Sequence, residues 1–416
     1  MITRLFLLLV TLTAAIGGIH FDLRKTIGSS SRRRLFYEGV GTSKEADGVY
    51  YATLRVGTPN PQAFTVIIDT GSATIAVPCK GCSCGNHNHF DVSLSETDSD
   101  TGRTYTQCYA EGSCNRGSTI NDKMCLGSEC TEDEMITHDF GCCTTFSSSF
   151  KEQTADGIIG MGGVSNSFIA ALREKHNLLD ENEFSLCLGS SAGHLDIGGY
   201  DETLNLEPIQ WIDHTSVTGY YHLTFQNIVL DAGSDTSRDV NIAKSALIDS
   251  GTSFTYIPYS IHSSIKAQFD AWCAESETRC LGTHNPSSAI SYDIRDSIAC
   301  YAPPSGTNKN DPSWLATFPS LELKIQNHDA YICVPPEQYF FNSKQDAMCV
   351  GLFRDSQFVI GANMMVDFQY IFDSDHSRIG ISRAKCDGEP ICCGHCMFVM
   401  FSLSLSFSTF YILSTF

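Results

Sequence analysis

Short apolar-rich stretches broken by turn residues recur along much of the chain. "GVYYATLRVG" (48–57), "FTVIID" (64–69), "YYHLTFQNIVL" (220–230), "SLELKI" (320–325) and "YIFDSDHSRIGIS" (370–382) read as strands, many separated by turn residues. Helical spacing is rarer. "SIHSSIKAQFDAWCAE" (260–275) sets Ile261, Ile265, Phe269 and Trp272 on one face just after Pro258. "SNSFIAALREKHNLL" (165–179) opens on Ser165 and Asn166, both suited to capping a helix. The pattern predicts a mainly β protein with few helices. One stretch breaks it: "AFTVIIDTGSATIAVPC" (63–79) sets Asp69 inside an apolar run, where desolvation penalises the charged form.

That stretch recurs. "FTVIIDTGSATIAVP" (64–78) is answered by "KSALIDSGTSFTYIP" (244–258), and "DGIIGMG" (156–162) by "FVIGANM" (358–364). The order of acid motif, long gap and apolar-apolar-Gly thus occurs twice. The repeat predicts two lobes of similar design, consistent with a length of 416 residues, more than one ordinary core.

A single Asp-Thr-Gly is weak evidence, because Asp commonly serves turns and caps. Two copies in matching apolar settings carry more weight. If a pseudo-two-fold axis relates the lobes, Asp69 and Asp249 meet at it, and two adjacent carboxyls share one proton. The flanking residues then acquire roles. Gly71 and Gly251 let backbone approach the acids, and Thr70 and Ser250 bond across the interface. Ser72 and Thr252 donate to the outer carboxylate oxygens.

A formal net charge of −20 argues against a nucleic-acid partner, and 42% hydrophobic with 18% charged residues is a globular composition. Arg4, the apolar "LFLLLV" and the small "AAIGG" predict an export signal over residues 1–18. Export accommodates the 19 cysteines as disulfides; sixteen fall between Cys79 and Cys386, enough to pair fully. No Asn-x-Ser/Thr acceptor occurs. The basic, Ser-rich segment 19–47 reads either as a linker or as a propeptide with a processing site at Arg32 to Arg34. The uncharged "MFVMFSLSLSFSTFYILSTF" (397–416) is about the length of a bilayer span, and membrane attachment is the favoured reading over a removed lipid-anchor signal or simply an unusual terminus.

"IIDTGSA", "LIDSGTS", "DGIIGMG" and "FVIGANM" together resemble the pepsin-like aspartic endopeptidases, over roughly residues 48 to 387. The resemblance implies a mainly β, bilobal acid protease fold with pseudo-two-fold related lobes and a central cleft. The lobes are expected at 48–212 and 213–387, with a Cys-rich spacer and apolar tail over 388–416. Asp69 and Asp249 are the implied catalytic pair, needing neither cofactor nor metal, with polypeptides as substrates and a monomer as the working unit. "CYAEGSCNRG" (108–117) matches the family's flap hairpin, making Tyr109, Glu111, Gly112 and Ser113 its substrate-facing residues. One departure stands out. The family usually has a Trp seven residues after the first Asp, supporting the flap tyrosine, and this chain has Ala76 there.

"AVPCKGCSCGNH", "YAEGS" and "SLCLGSSAGHLDIGGYD" are similar to the Cys-rich, membrane-associated branch typified by plasmepsin V. That likeness implies a secretory-pathway processing protease cutting near basic residues. Its compartment would be the endoplasmic reticulum or Golgi, the cell-surface membrane, or the extracellular space, and Glu111 would face a substrate Arg. Resemblance also implies the disulfides Cys187–Cys386 and Cys300–Cys349, while Cys273 and Cys280 are close enough for a local loop. "CKGCSCGNHNH" (79–89) offers Cys79, Cys82, Cys84, His87 and His89, as a zinc set or, preferred in an exported chain, as disulfide partners for the cysteines at 108–143. Two rivals stand against an enzyme: a catalytically silent binding or inhibitory protein of the same fold, and a zinc-binding adhesion protein. The intact acid motifs weigh against both.

Overall fold

A computed structural model of the chain describes residues 19–25, 48–85, 87–109, 113–127, 129–147, 150–151, 153–190, 192–214, 219–284, 296–342 and 347–386. The expected signal segment, most of 19–47, Glu111, Gly112 and the tail 388–416 lie outside the described residues. The molecule is mainly β. Its strands form sheets of thirteen, seven and four strands among the described residues. The largest runs across both halves of the sequence: Phe368–Asp373 pairs antiparallel with Glu183–Leu188, setting Gln369 opposite Cys187 and Asp373 opposite Glu183. Residues Ile19–Lys25, within the segment read as propeptide or linker, add a strand antiparallel to Ala192–Ile197.

The sequence repeat becomes a structural one. Strand Gln62–Asp69 lies parallel to Gly157–Gly160, with Asp69 opposite Gly160. Strand Arg238–Asp249 lies parallel to Val359–Gly361, with Asp249 opposite Gly361. Both acid-bearing strands end in the core, where Phe64, Val66, Ile68 and Ile248 are buried. Burying a side chain of that size contributes about 1.5–3 kcal/mol. Each acid is therefore mounted on a stiff, parallel strand pair.

The helix expected at 260–275 forms over Tyr259–Ala274, burying Ile261, Ile265, Phe269 and Trp272. The one expected at 165–179 is shorter. It begins at Phe168, capped by Ser167 rather than by Ser165 or Asn166, and passes into a wider turn over Ala171–Lys175. The 370–382 stretch is two strands, Phe368–Asp373 and Arg378–Arg383, joined by a turn in which Ser377 takes φ +53°. Both arms are buried at most positions, so apolar patterning alone does not mark the reversal between them.

Disulfides link Cys187–Cys386, Cys300–Cys349 and Cys273–Cys280, and also Cys79–Cys142, Cys82–Cys84, Cys108–Cys114 and Cys125–Cys130. Pairing within the body is not complete, because Cys143 is a buried free thiol. Consecutive strand residues face opposite sides, so Cys142 reaches Cys79 while Cys143 faces a second apolar cluster. Among the described residues no helix is long and apolar enough to cross a membrane.

Candidate active site

The two acids end their strands at the same place. A Cβ added to Gly71 would lie 2.5 Å from the Asp249 carboxyl carbon, and one on Gly251 would lie 2.4 Å from Asp69 Oδ1. Glycine is required at both positions by close approach. The carboxyls are within hydrogen-bonding reach of each other and both are buried. Burial first, and then the charge of Asp249, hold the Asp69 carboxyl well above the usual carboxylate range, despite opposing donation from Ser72 and the Gly71 amide.

The two motifs hold their acids alike. Gly71 N donates to Asp69 Oδ1 and Gly251 N to Asp249 Oδ1, each at 2.9 Å. Ser72 Oγ donates to Asp69 Oδ2, and Thr252 Oγ1 to Asp249 Oδ2 at 2.7 Å. The halves are then tied by reciprocal bonds. Thr70 Oγ1 donates to the Ile248 carbonyl (2.8 Å) and Ser250 Oγ to the Ile68 carbonyl (2.7 Å). Each hydroxyl also accepts from the other's backbone: Ser250 N to Thr70 Oγ1 at 3.0 Å, and Thr70 N to Ser250 Oγ at 3.2 Å. Such a frame fixes the two carboxyls beside each other, an arrangement suited to sharing a proton.

The hairpin of Ser99–Cys108 and Cys114–Leu126 carries Tyr109 at its end, closed by Cys108–Cys114 and by Tyr109 N donating to the Ser113 carbonyl at 2.9 Å. Ser113 is buried, and Tyr109 is half-buried with its ring centroid 5.0 Å from that of Phe150. The cysteines of 79–84 are all taken up in disulfides, so the thiolates of a zinc set are consumed. His87 instead contacts the Phe150 carbonyl and lies near Asp156.

Residues 49–384 match the family model described as eukaryotic aspartyl protease. The chain belongs to that family. Its fold is accordingly the bilobal pepsin-like one, and the family is one of aspartic-type endopeptidases, hydrolases acting on peptide bonds. Embryonic pepsinogen of Gallus gallus is 30% identical over 356 residues, covering 81% of each protein. Pepsin II-2/3 of Oryctolagus cuniculus is 30% identical over 350 residues, again 81% of each. Aspartic protease 5 of Toxoplasma gondii is 26% identical over 403 residues, 86% of this chain but 38% of that protein. The chain thus spans well under half the length of that last relative.

Sequence reasoning did not single out Phe150, Tyr105 or Tyr220. Tyr105 shares its hydroxyl with Thr74 Oγ1 at 3.0 Å, beside the first acid motif, and its ring fills the space over Gly141. Tyr220 packs against Gly162, whose amide bonds the Ser72 carbonyl. Nothing local in the sequence marks these residues; long-range packing brings Tyr105 and Tyr220 beside the first acid motif and Phe150 against Tyr109.

Proposed function

We propose that this aspartyl protease hydrolyses peptide bonds with a water held between Asp69 and Asp249. The observation that carries the reading is the pair itself: two buried carboxyls within reach, each held by equivalent donors, with Asp69 pushed toward its protonated form. The ionised member takes the water's proton as its oxygen attacks the scissile carbonyl. The protonated member hydrogen-bonds the developing oxyanion and later supplies a proton to the leaving nitrogen. An extended peptide lies between lobes 48–212 and 213–387, beneath the flap that bears Tyr109, and closure excludes bulk water.

More narrowly, the reading is a monomeric processing enzyme of the secretory pathway that cuts near basic residues, with Glu111 meeting a substrate Arg. The abundant disulfides support the route, and the apolar tail supports membrane attachment. The test compares peptide-cleavage rates of the purified protein with those of Asp69→Ala and Asp249→Ala. Each variant is expected to lose about a thousandfold or more in kcat. Cleavage at the native rate by either variant would refute the mechanism. Glu111→Gln should weaken the preference for Arg-containing peptides, and an unchanged preference would refute the specificity.

A further inference from the structure

We propose that Phe150 is the positioning residue of the flap tyrosine Tyr109, and that the cysteine-rich loop 79–89 serves to hold Phe150 in place. The inference rests on the reading of Tyr109 as the flap residue. It begins with the departure at Ala76, which is fully buried and offers neither ring nor donor where the family's pattern supplies a Trp. Aromatic residues from elsewhere occupy that neighbourhood. Ala76, Tyr105, Phe146 and Phe150 share one buried cluster, and Tyr109 packs onto it. The Tyr109 and Phe150 centroids are 5.0 Å apart with planes tilted by 44°, and Phe146 backs Phe150 at 5.7 Å. Such contacts fall in the favourable range for aromatic pairs.

Phe150 needs its own anchor, because it lies outside the strands of the sheet. The loop 79–89 supplies it. His87 Nε2 donates to the Phe150 carbonyl at 2.9 Å, with the imidazole almost fully buried. The ring's other nitrogen lies 3.7 Å from Asp156 Oδ1. Asp156 is fixed in turn by the amides of Thr65 (2.9 Å) and Asn88 (2.8 Å). It immediately precedes Gly157–Gly160, the strand lying beside that of Asp69. Gly85 makes the second contact. At φ +86° it presses against the Lys151 carbonyl, which an added Cβ would meet at 2.5 Å. The Cys82–Cys84 disulfide lies in the same cluster as Phe150. A continuous path therefore runs from the strand pair of the first acid through Asp156, His87 and Phe150 to Tyr109. In this chain packing does what a hydrogen-bonding Trp does in the family's usual pattern.

Two readouts on the full chain test this. Hydrogen–deuterium exchange of the free protein reports the hairpin Ser99–Leu126, and steady-state peptide cleavage reports its use. Phe150→Ala is expected to speed hairpin exchange about tenfold and lower kcat/KM about tenfold, mainly through KM, while Phe150→Tyr stays within about twofold of wild type. The double variant Phe150→Ala/Tyr109→Ala should be no worse than Tyr109→Ala alone. Unchanged hairpin exchange in Phe150→Ala, or singles that simply multiply, would overturn the proposal. Should Phe150→Ala not fold, His87→Ala is read instead: exchange about threefold faster in the hairpin supports the path, and unaltered exchange refutes it. Because exchange needs no turnover, a hairpin that responds in a protein that cleaves nothing would refute the proposed function and leave the positioning intact.

Discussion

Gly71 and Gly251 each occupy a point where a methyl group would collide with the opposite acid, at 2.5 and 2.4 Å respectively. Such distances essentially do not occur for real side chains, so Gly71→Ala must displace Asp249 or its own loop. We expect this variant to fold with a small loss of melting temperature and to lose at least about a hundredfold in kcat. Retained turnover would show that the carboxyls need not stay so close. The pH profile belongs to the same scale. Because the Asp69 carboxyl is raised by burial and by Asp249, the pair still carries a proton above the ordinary carboxylate range. Loss of that shared proton should switch activity off on the alkaline side. The acids, their glycines and their hydroxyl neighbours were legible in the sequence because two copies of one motif explain each other. Phe150 was not, and His87 was legible only as a zinc candidate, since their contacts with Tyr109 and Asp156 join segments far apart in the chain.

The hairpin proposed as the flap pairs Ser99–Cys108 with Cys114–Leu126, whose other edge is paired to Ile136–Phe146, and its end is stapled by Cys108–Cys114. The staple spans few residues, so its entropic contribution to global stability is modest, but it limits how far the strand ends beside Tyr109 can separate. Replacing both cysteines with serine should leave the melting temperature within a few degrees and raise KM about threefold to tenfold. A KM unchanged from wild type would show that the staple does not govern the flap. Element boundaries were the less legible part of the chain. Helix Tyr259–Ala274 follows its apolar spacing directly. The 165–179 stretch does not, because its cap is Ser167 and its end widens into a π turn. Residue preference cannot distinguish three successive polar cap candidates when turn geometry selects among them.

At the scale of the molecule, the sheet shared by both halves sets Glu183 opposite Asp373. Asp373 is fully buried and takes a bond from Arg378 Nε at 2.7 Å. Burial, then the charge of Asp373, push the Glu183 carboxyl up to about 7, whereas in an unfolded chain it ionises near 4.5. Between those values the folded protein binds more protons than the unfolded one, so stability falls as pH rises through the window. Glu183→Gln should therefore be more stable than wild type at pH 8, by on the order of 1 kcal/mol after allowance for solvent screening, and equal to it below pH 4. Denaturant melts at the two pH values check this. Equal stabilities at pH 8 would show that Glu183 ionises normally in the fold.

The sequence by itself determined the strand-rich patterning, the doubled acid motif and the family, because those depend on residue type and spacing within short windows. The tertiary structure decided how near the acids stand, which cysteine of the 142–143 pair stays free, and which rings pack against Tyr109. These are outcomes of contact between segments far apart in the chain, and no local preference encodes them. Phe150, distant in sequence from Ala76, joins the same buried cluster and packs against Tyr109 through the fold, which no local pattern encodes.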